Sequence, residues 1–226
     1  MSYNFSHTLL TNLDCIKKAH YYVSKTPGIN SFAANAGIDL HTICEEYLKT
    51  LRDPDGLTDT QLPKFLKIKP YLDEIVNDLL SVEGRAERVH DRLGKVSARF
   101  DAVIDSPDGL FIVDWKFPGK PWDTKKFENY KMTQALLYLW VCELEFYKRP
   151  DGMVFKVVPD VGPPQTFTVL WDDAELDRAF NMYVSKKSTF DTYLSMGRYP
   201  ASPSFLCNWC SWKELCSDRY IRKSSD

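Results

Sequence analysis

Two aspartates and a lysine, Asp101, Asp114 and Lys116, lie where the hydrophobic period of this 226-residue chain changes from helical to alternating. From Lys95 to Ile104, Val96, Ala98, Phe100, Ala102 and Ile104 alternate with Ser97, Arg99 and Asp101. After Ser106-Pro107-Asp108-Gly109 comes Leu110–Phe117, rich in β-formers, so the segment reads as a β-hairpin. With a loop of Ser106–Gly109, Asp105 faces Leu110, Asp101 faces Asp114 and Arg99 faces Lys116. Phe100, Ala102 and Ile104 then meet Trp115, Val113 and Phe111 on the apolar side, which supports the register. Two facing carboxylates repel, and a divalent cation converts that repulsion into ligation. Oxygen ligands suit magnesium or manganese. Lys116 points to the same side and can stabilise charge developing on a phosphate or a metal-bound water. The residues alone also fit an open, solvated sheet face on which Lys116 is a salt-bridge partner.

The cysteines suggest a second centre. Cys207, Cys210 and Cys216 form C-x2-C-x5-C, and a four-ligand sphere asks for one more, Cys15 or Cys44. Cys44 and Cys142 sit in helical, apolar surroundings and read as small buried hydrophobes. No signal peptide or apolar stretch of about twenty residues is present, so the expected location is cytoplasmic, without a membrane, and the thiols reduced. The net charge of −2 leaves nucleic-acid binding open, since a local basic groove suffices.

The elements that must position these groups follow from periodicity. Helices are expected at about Phe5–Val23 (Leu9, Leu13 and Ile16 on its apolar face), Ser31–Leu51 with Asn30 or Ser31 as cap, from Pro63 through Leu80, Lys126–Tyr147 and Asp173–Met196. Two further strands are expected at Met153–Val158 and Thr166–Trp171. The closing IRKSSD reads as disordered. The class is α/β, with a small mixed sheet.

Phe100-Asp101 followed by Val113-Asp114-Trp115-Lys116 resembles the split motif of the PD-(D/E)XK nuclease superfamily. Gln134-Ala-Leu-Leu-Tyr138 is similar to the Q-x-x-x-Y element of its RecB-like branch, and Gly37-Ile-Asp-Leu-His41 to that branch's helical metal-ligating histidine. Leu13-Asp14-Cys15, an aromatic pair and the C-terminal cysteines resemble iron–sulfur nucleases of the AddB type and CRISPR-associated adaptation exonucleases. The resemblance implies one domain over 1–226 with a restriction-endonuclease-like core. It implies a [4Fe-4S] cluster on Cys15, Cys207, Cys210 and Cys216 that clips about 1–30 to 197–226, with zinc as the rival metal. It further implies magnesium or manganese held by His41, Asp101, Asp114 and the Trp115 carbonyl, with Lys116 acting on water. DNA, as a single strand trimmed from its end, is the implied substrate, contacted by Gln134, Tyr138 and Tyr130, with an integrase or helicase as partner. A catalytically silent DNA-binding scaffold and a zinc-stabilised module are the alternatives.

Trp115, Phe117, Trp122 and Tyr130 could stack on bases, and Lys116, Lys120, Lys125, Lys126 and Lys131 could track phosphates or form a solvated face. Glu83 and Glu87 stand where a further acidic ligand sometimes occurs, and spacing does not choose between them. His7, His20 and His90 match no motif.

Overall fold

The expected first helix is three pieces. The computed structural model, which describes residues 3–29 and 32–218, has a short strand β1 (Phe5–Ser6), then helices α1 (His7–Asn12) and α2 (Ile16–Val23). Ser6 is extended and its hydroxyl accepts the Leu9 N–H at 3.2 Å, which starts α1. An extended Cys15 separates α1 from α2. Helical periodicity ran through both because their apolar faces share one core.

Next come α3 (Phe32–Thr50) and α4 (Leu62–Ile75), the latter with proline in its first turn. The candidate caps Asn30 and Ser31, and the terminal IRKSSD, lie outside the described residues. The α4 helix stops short of Leu79 and Leu80. These open strand β2 (Leu79–His90), an element with no counterpart in the sequence expectation. Its residues alternate poorly, and it takes strand form from long antiparallel pairing with β3 (Gly94–Ser106).

The turn into β4 (Gly109–Lys116) is one pair tighter than expected, with Ser106 opposite Gly109. Gly109 has φ +135°, and a β-carbon there would lie 2.7 Å from Asp151 Oδ2, so glycine is required. The Asp151 carboxylate also accepts the Leu110 N–H at 2.8 Å.

Beyond β4 lie α5 (Thr124–Tyr130), a wide π turn (Lys131–Ala135) and α6 (Leu136–Cys142) in place of one uniform helix. The strands β5 (Gly152–Val157) and β6 (Gln165–Leu170), then α7 (Asp173–Ser195), match expectation within a residue or two. A 3-10 turn, Phe205–Trp209, carries the first of the C-terminal cysteines.

The result is an α/β fold on a mixed six-stranded sheet. The strands run β2-β3-β4-β5-β6, and β1 pairs in parallel with the first half of β3 on the edge that β4 shares. Contacts β1–β3 and β4–β5 are parallel and the others antiparallel. One face is covered by α1, α6 and α7 through Leu10, Leu136, Leu139 and Tyr183, packed against Ile112 and Phe155. The other is covered by α3 and α4 through Cys44, Phe65, Ile68 and Leu72, packed against Val113 and Trp115. Burying each large apolar side chain contributes about 1.5–3 kcal/mol, so both sheet faces are held firmly.

Candidate active site

The centre of interest is a break in the sheet. β1 pairs with β3 at Val96 and Ser97, whereas β4 pairs with it only from Ala102 onward. Along that edge, residues 98–101 belong to neither partner. Ala102 and Ile104 meet Val113 and Phe111 as the register expected, but the ladder ends before Asp101 and Asp114. Arg99 therefore does not face Lys116; it pairs with Arg85 on β2. Phe100 does not reach Trp115 either. Its ring lies over Gly84, where a β-carbon would come within 2.0 Å of it.

Asp101 fills the gap with its own side chain. Its Oδ2 accepts the Trp115 N–H at 2.8 Å, and its Oδ1 faces His41 Nδ1 at 2.7 Å. His41 reaches it from α3, with its ring edge-on to Phe117 at 5.5 Å. The strands have splayed, and both acids are buried, Asp101 8% and Asp114 3% exposed.

Asp114 is held from two sides. Its Oδ1 accepts Gln134 Nε2 at 2.5 Å, and its Oδ2 faces the Lys116 ammonium. Burial raises the Asp114 pKa, Asp101 adds to the rise, and Lys116 and His41 oppose it. For Lys116 burial disfavours the charge, but Asp114, Tyr130 and Asp101 outweigh it and raise its pKa. Lys116 is therefore held as a cation in a half-buried position beside Asp114.

Gln134 sits in the π turn between α5 and α6, a local widening that commonly marks functional positions. It is 2% exposed and bonded to a catalytic-type carboxylate, so it positions Asp114. Tyr138, one turn on, lies beside Gln134 and the Arg99 backbone, its phenol pKa raised by burial.

The sequence pattern missed His7. Its ring lies 5.8 Å from Tyr130 and 6.5 Å from Tyr138. Burial, and then the Lys116 charge, push its pKa down to about 4, against an upward pull from Asp114. It is a neutral imidazole beside the acids. Only the β1–β3 pairing brings it there, so no spacing along the chain could have found it.

Several expected contacts are corrected. Trp115 and Trp122 are 1% and 5% exposed and belong to the core, and Trp122 stacks on Tyr130 at 4.4 Å. Neither tryptophan presents a free face to a base. Lys131 is paired with Glu175 at 2.6 Å. Glu83 pairs with Arg99 at 2.9 Å and Glu87 with Lys95 at 2.5 Å, so neither joins the acids.

The donor types suit a divalent cation: two carboxylates and an imidazole, with Asp114 Oδ2 buried and met by the Lys116 ammonium. Among the described residues, however, no three His, Cys, Asp or Glu side chains converge closely enough to hold an ion. This holds for the cysteines as for the acids, and the acid oxygens already have partners. His41 and the Trp115 N–H take the oxygens of Asp101, and Gln134 and Lys116 take those of Asp114. The donors fit in kind, and cation binding requires Lys116 to move off Asp114.

Cys15, Cys207, Cys210 and Cys216 line one cavity of about 130 Å³, formed by α2 and the C-terminal segment. All are free thiols. Cys44 is buried against α4 and the sheet, away from that cavity, and Cys142 is buried under α6. The Cys15 sulfur accepts the Ser202 N–H at 3.4 Å, and Lys17 N–H donates to the Pro200 carbonyl at 3.1 Å, so the two chain ends are in contact. No helix of the described residues is long and apolar enough to cross a membrane.

Comparison with known proteins agrees with this fold. A crystal structure of a protein from Eubacterium rectale put forward as an exonuclease superposes with a TM-score of 0.65 at 10% identity, covering 99% of this chain and 91% of the other. The crystal structure of SSO0001 superposes at 0.54 with 14% identity, over 98% and 89%. At such identities the likeness is one of fold. No sequence among the curated proteins matches significantly. The model of the PD-(D/E)XK nuclease superfamily matches residues 6–217, nearly the whole length and every element of the site. This chain belongs to the PD-(D/E)XK nuclease superfamily.

Proposed function

We propose that the chain is a magnesium- or manganese-dependent deoxyribonuclease that trims single-stranded DNA from an end. The observation that carries this reading is the cluster in the sheet break, with Asp101 and Asp114 buried, Lys116 on Asp114 and His41 on Asp101. His41, Asp101, Asp114 and the Trp115 carbonyl would hold the cation, which supplies Lewis-acid polarisation of the phosphate and a more acidic water. Lys116, released from Asp114 when the site is loaded, stabilises negative charge on the phosphate during in-line displacement. Gln134 keeps Asp114 oriented, and the Trp115 N–H keeps Asp101 oriented. Tyr130, Tyr138 and His7 form the wall against which the reacting nucleotide lies.

We further propose a [4Fe-4S] cluster in the cysteine cavity, zinc being the rival occupant, whose binding energy ties the two ends of the chain together. An integrase or helicase partner and a cytoplasmic setting complete the reading. A silent scaffold of the same fold is the competing reading, favoured by the lack of a converged trio of ligands among the described residues.

Digestion of end-labelled single-stranded DNA with magnesium, manganese or chelator tests the reading, with Lys116→Ala as control. Metal-dependent loss of label that the variant lacks supports it; no cleavage by the wild type makes the scaffold reading correct. Iron, sulfide and zinc analysis of the purified protein decides the occupant of the cysteine cavity.

A further inference from the structure

Two basic residues are placed where the fold itself is disadvantaged by them. Arg85 on β2 lies directly opposite Arg99 on β3. Like charges facing each other across an antiparallel ladder destabilise it. Arg99 is compensated by Glu83, but among the described residues Arg85 has no side-chain partner, and it is exposed. Lys25 closes α2 in a Schellman turn, its N–H donating to the Tyr22 carbonyl at 3.1 Å and the Thr26 N–H to the Tyr21 carbonyl at 3.0 Å. That position has φ +55°, where glycine is the favoured residue.

Both residues line the same open cavity of about 660 Å³, together with Arg99, Tyr22, His7 and Tyr138. No Asp or Glu is among its described lining residues. Tyr138 stands one helical turn beyond Gln134, which donates to Asp114, and the His7 ring lies 6.5 Å from Tyr138. The cavity therefore opens from the side of the acids and runs over the β2–β3 surface toward the end of α2. A stretch that is basic and roomy, with Glu83 on Arg99 as its acidic neighbour, and kept so against local stability, suits a polyanion.

We infer that this groove, through Arg85, Arg99 and Lys25, holds the phosphates of the single-stranded DNA flanking the nucleotide in the active site. Tyr22 supplies a ring on which an unpaired base stacks. The strand thus leaves along the β2 side rather than along Lys120, Lys125 and Lys126. The inference takes the identity of the polymer from the nuclease reading, but the groove is tested by binding alone.

The experiment measures the affinity of the full-length protein for a fluorescent oligothymidylate in chelator, as a function of salt. Each lost phosphate contact should flatten the slope of log K against log salt by about 0.7 and weaken binding about fivefold near 0.1 M salt. Arg85→Ala and Lys25→Gly are each expected to show this, and Arg85→Glu more strongly. The same variants should keep or gain stability, Lys25→Gly raising Tm by about 2–4 °C. A purely structural role would move Tm down and leave the salt slope alone. Unchanged slopes for Arg85→Ala and Lys25→Gly, with the loss appearing in Lys125→Ala and Lys126→Ala, overturn the inference. So does a wild type that fails to bind the oligonucleotide. Binding through the groove without any cleavage would defeat the nuclease reading and leave the groove standing; cleavage with unaffected groove variants would do the reverse.

Discussion

Asp101 accepts the Trp115 N–H at 2.8 Å across the point where β3 and β4 part, so a side-chain carboxylate completes the sheet where the ladder has stopped. The same carboxylate faces His41 at 2.7 Å. One oxygen completes the sheet and the other meets the imidazole. Nothing else in the fold joins the architecture and the site so directly.

This dual role separates two substitutions at Asp101. Asp101→Asn keeps an acceptor for the Trp115 N–H, so unfolding free energy should stay within about 1 kcal/mol of wild type while nuclease activity falls at least about a hundredfold. Asp101→Ala orphans a buried N–H and should in addition lose about 1–3 kcal/mol. Urea denaturation beside an activity assay checks both. Equal stability of the two variants would mean that the Trp115 bond contributes nothing.

Gln134 offers a clear choice between holding Asp114 and touching DNA. Because its Nε2 donates to Asp114 Oδ1 at 2.5 Å, Gln134→Leu should lower kcat about 10–100-fold with KM for DNA nearly unchanged. A raised KM at constant kcat would instead make the glutamine a substrate contact, as the resemblance implied.

Gly84 is the close-approach point of the long β2–β3 ribbon. A β-carbon there would lie 2.0 Å from the Phe100 ring, so Gly84→Ala should destabilise the protein by about 1–3 kcal/mol. Removing the ring as well, in Gly84→Ala/Phe100→Ala, should show a coupling of about 1 kcal/mol or more in a double-mutant cycle. Simple additivity would show that the ribbon relaxes around the methyl group.

The contact between chain ends should weaken in acid. His20 stacks on Tyr199 at 3.6 Å with the rings 10° apart, and its buried Nδ1 has no partner. Burial lowers its pKa below 6.5, so the folded state favours the neutral ring. The unfolded chain then binds the proton more readily. The stabilisation is complete above pH 6.5 and declines as pH falls from there to the lower folded value. His7 and His90 shift in the same direction, so the readout must be local. Limited proteolysis near Tyr199 should accelerate on acidification in the wild type and much less in His20→Phe, which keeps the stacking without the charge. Equal acceleration in both would remove His20 from the account.

The hairpin was legible because its information is local. Alternation over Val96–Ile104 and Leu110–Lys116, with Ser106-Pro107-Asp108-Gly109 between them, fixes which residues can face each other from Ala102 to Ser106. The Q-x-x-x-Y and C-x2-C-x5-C spacings likewise announce groups that a single turn of chain already brings close. What the tertiary structure decided has partners far away in sequence. β2 is one-third charged and scarcely alternates, and becomes a strand only through the hydrogen bonds β3 offers it. His7 joins the acids only because Phe5 and Ser6 pair with Val96 and Ser97. The facing arginines, and the splay that frees Asp101 from Asp114, likewise follow from which strand occupies each edge of β3. Residue type and spacing name the chemistry; the competition of three strands for one central partner determines where it can take place.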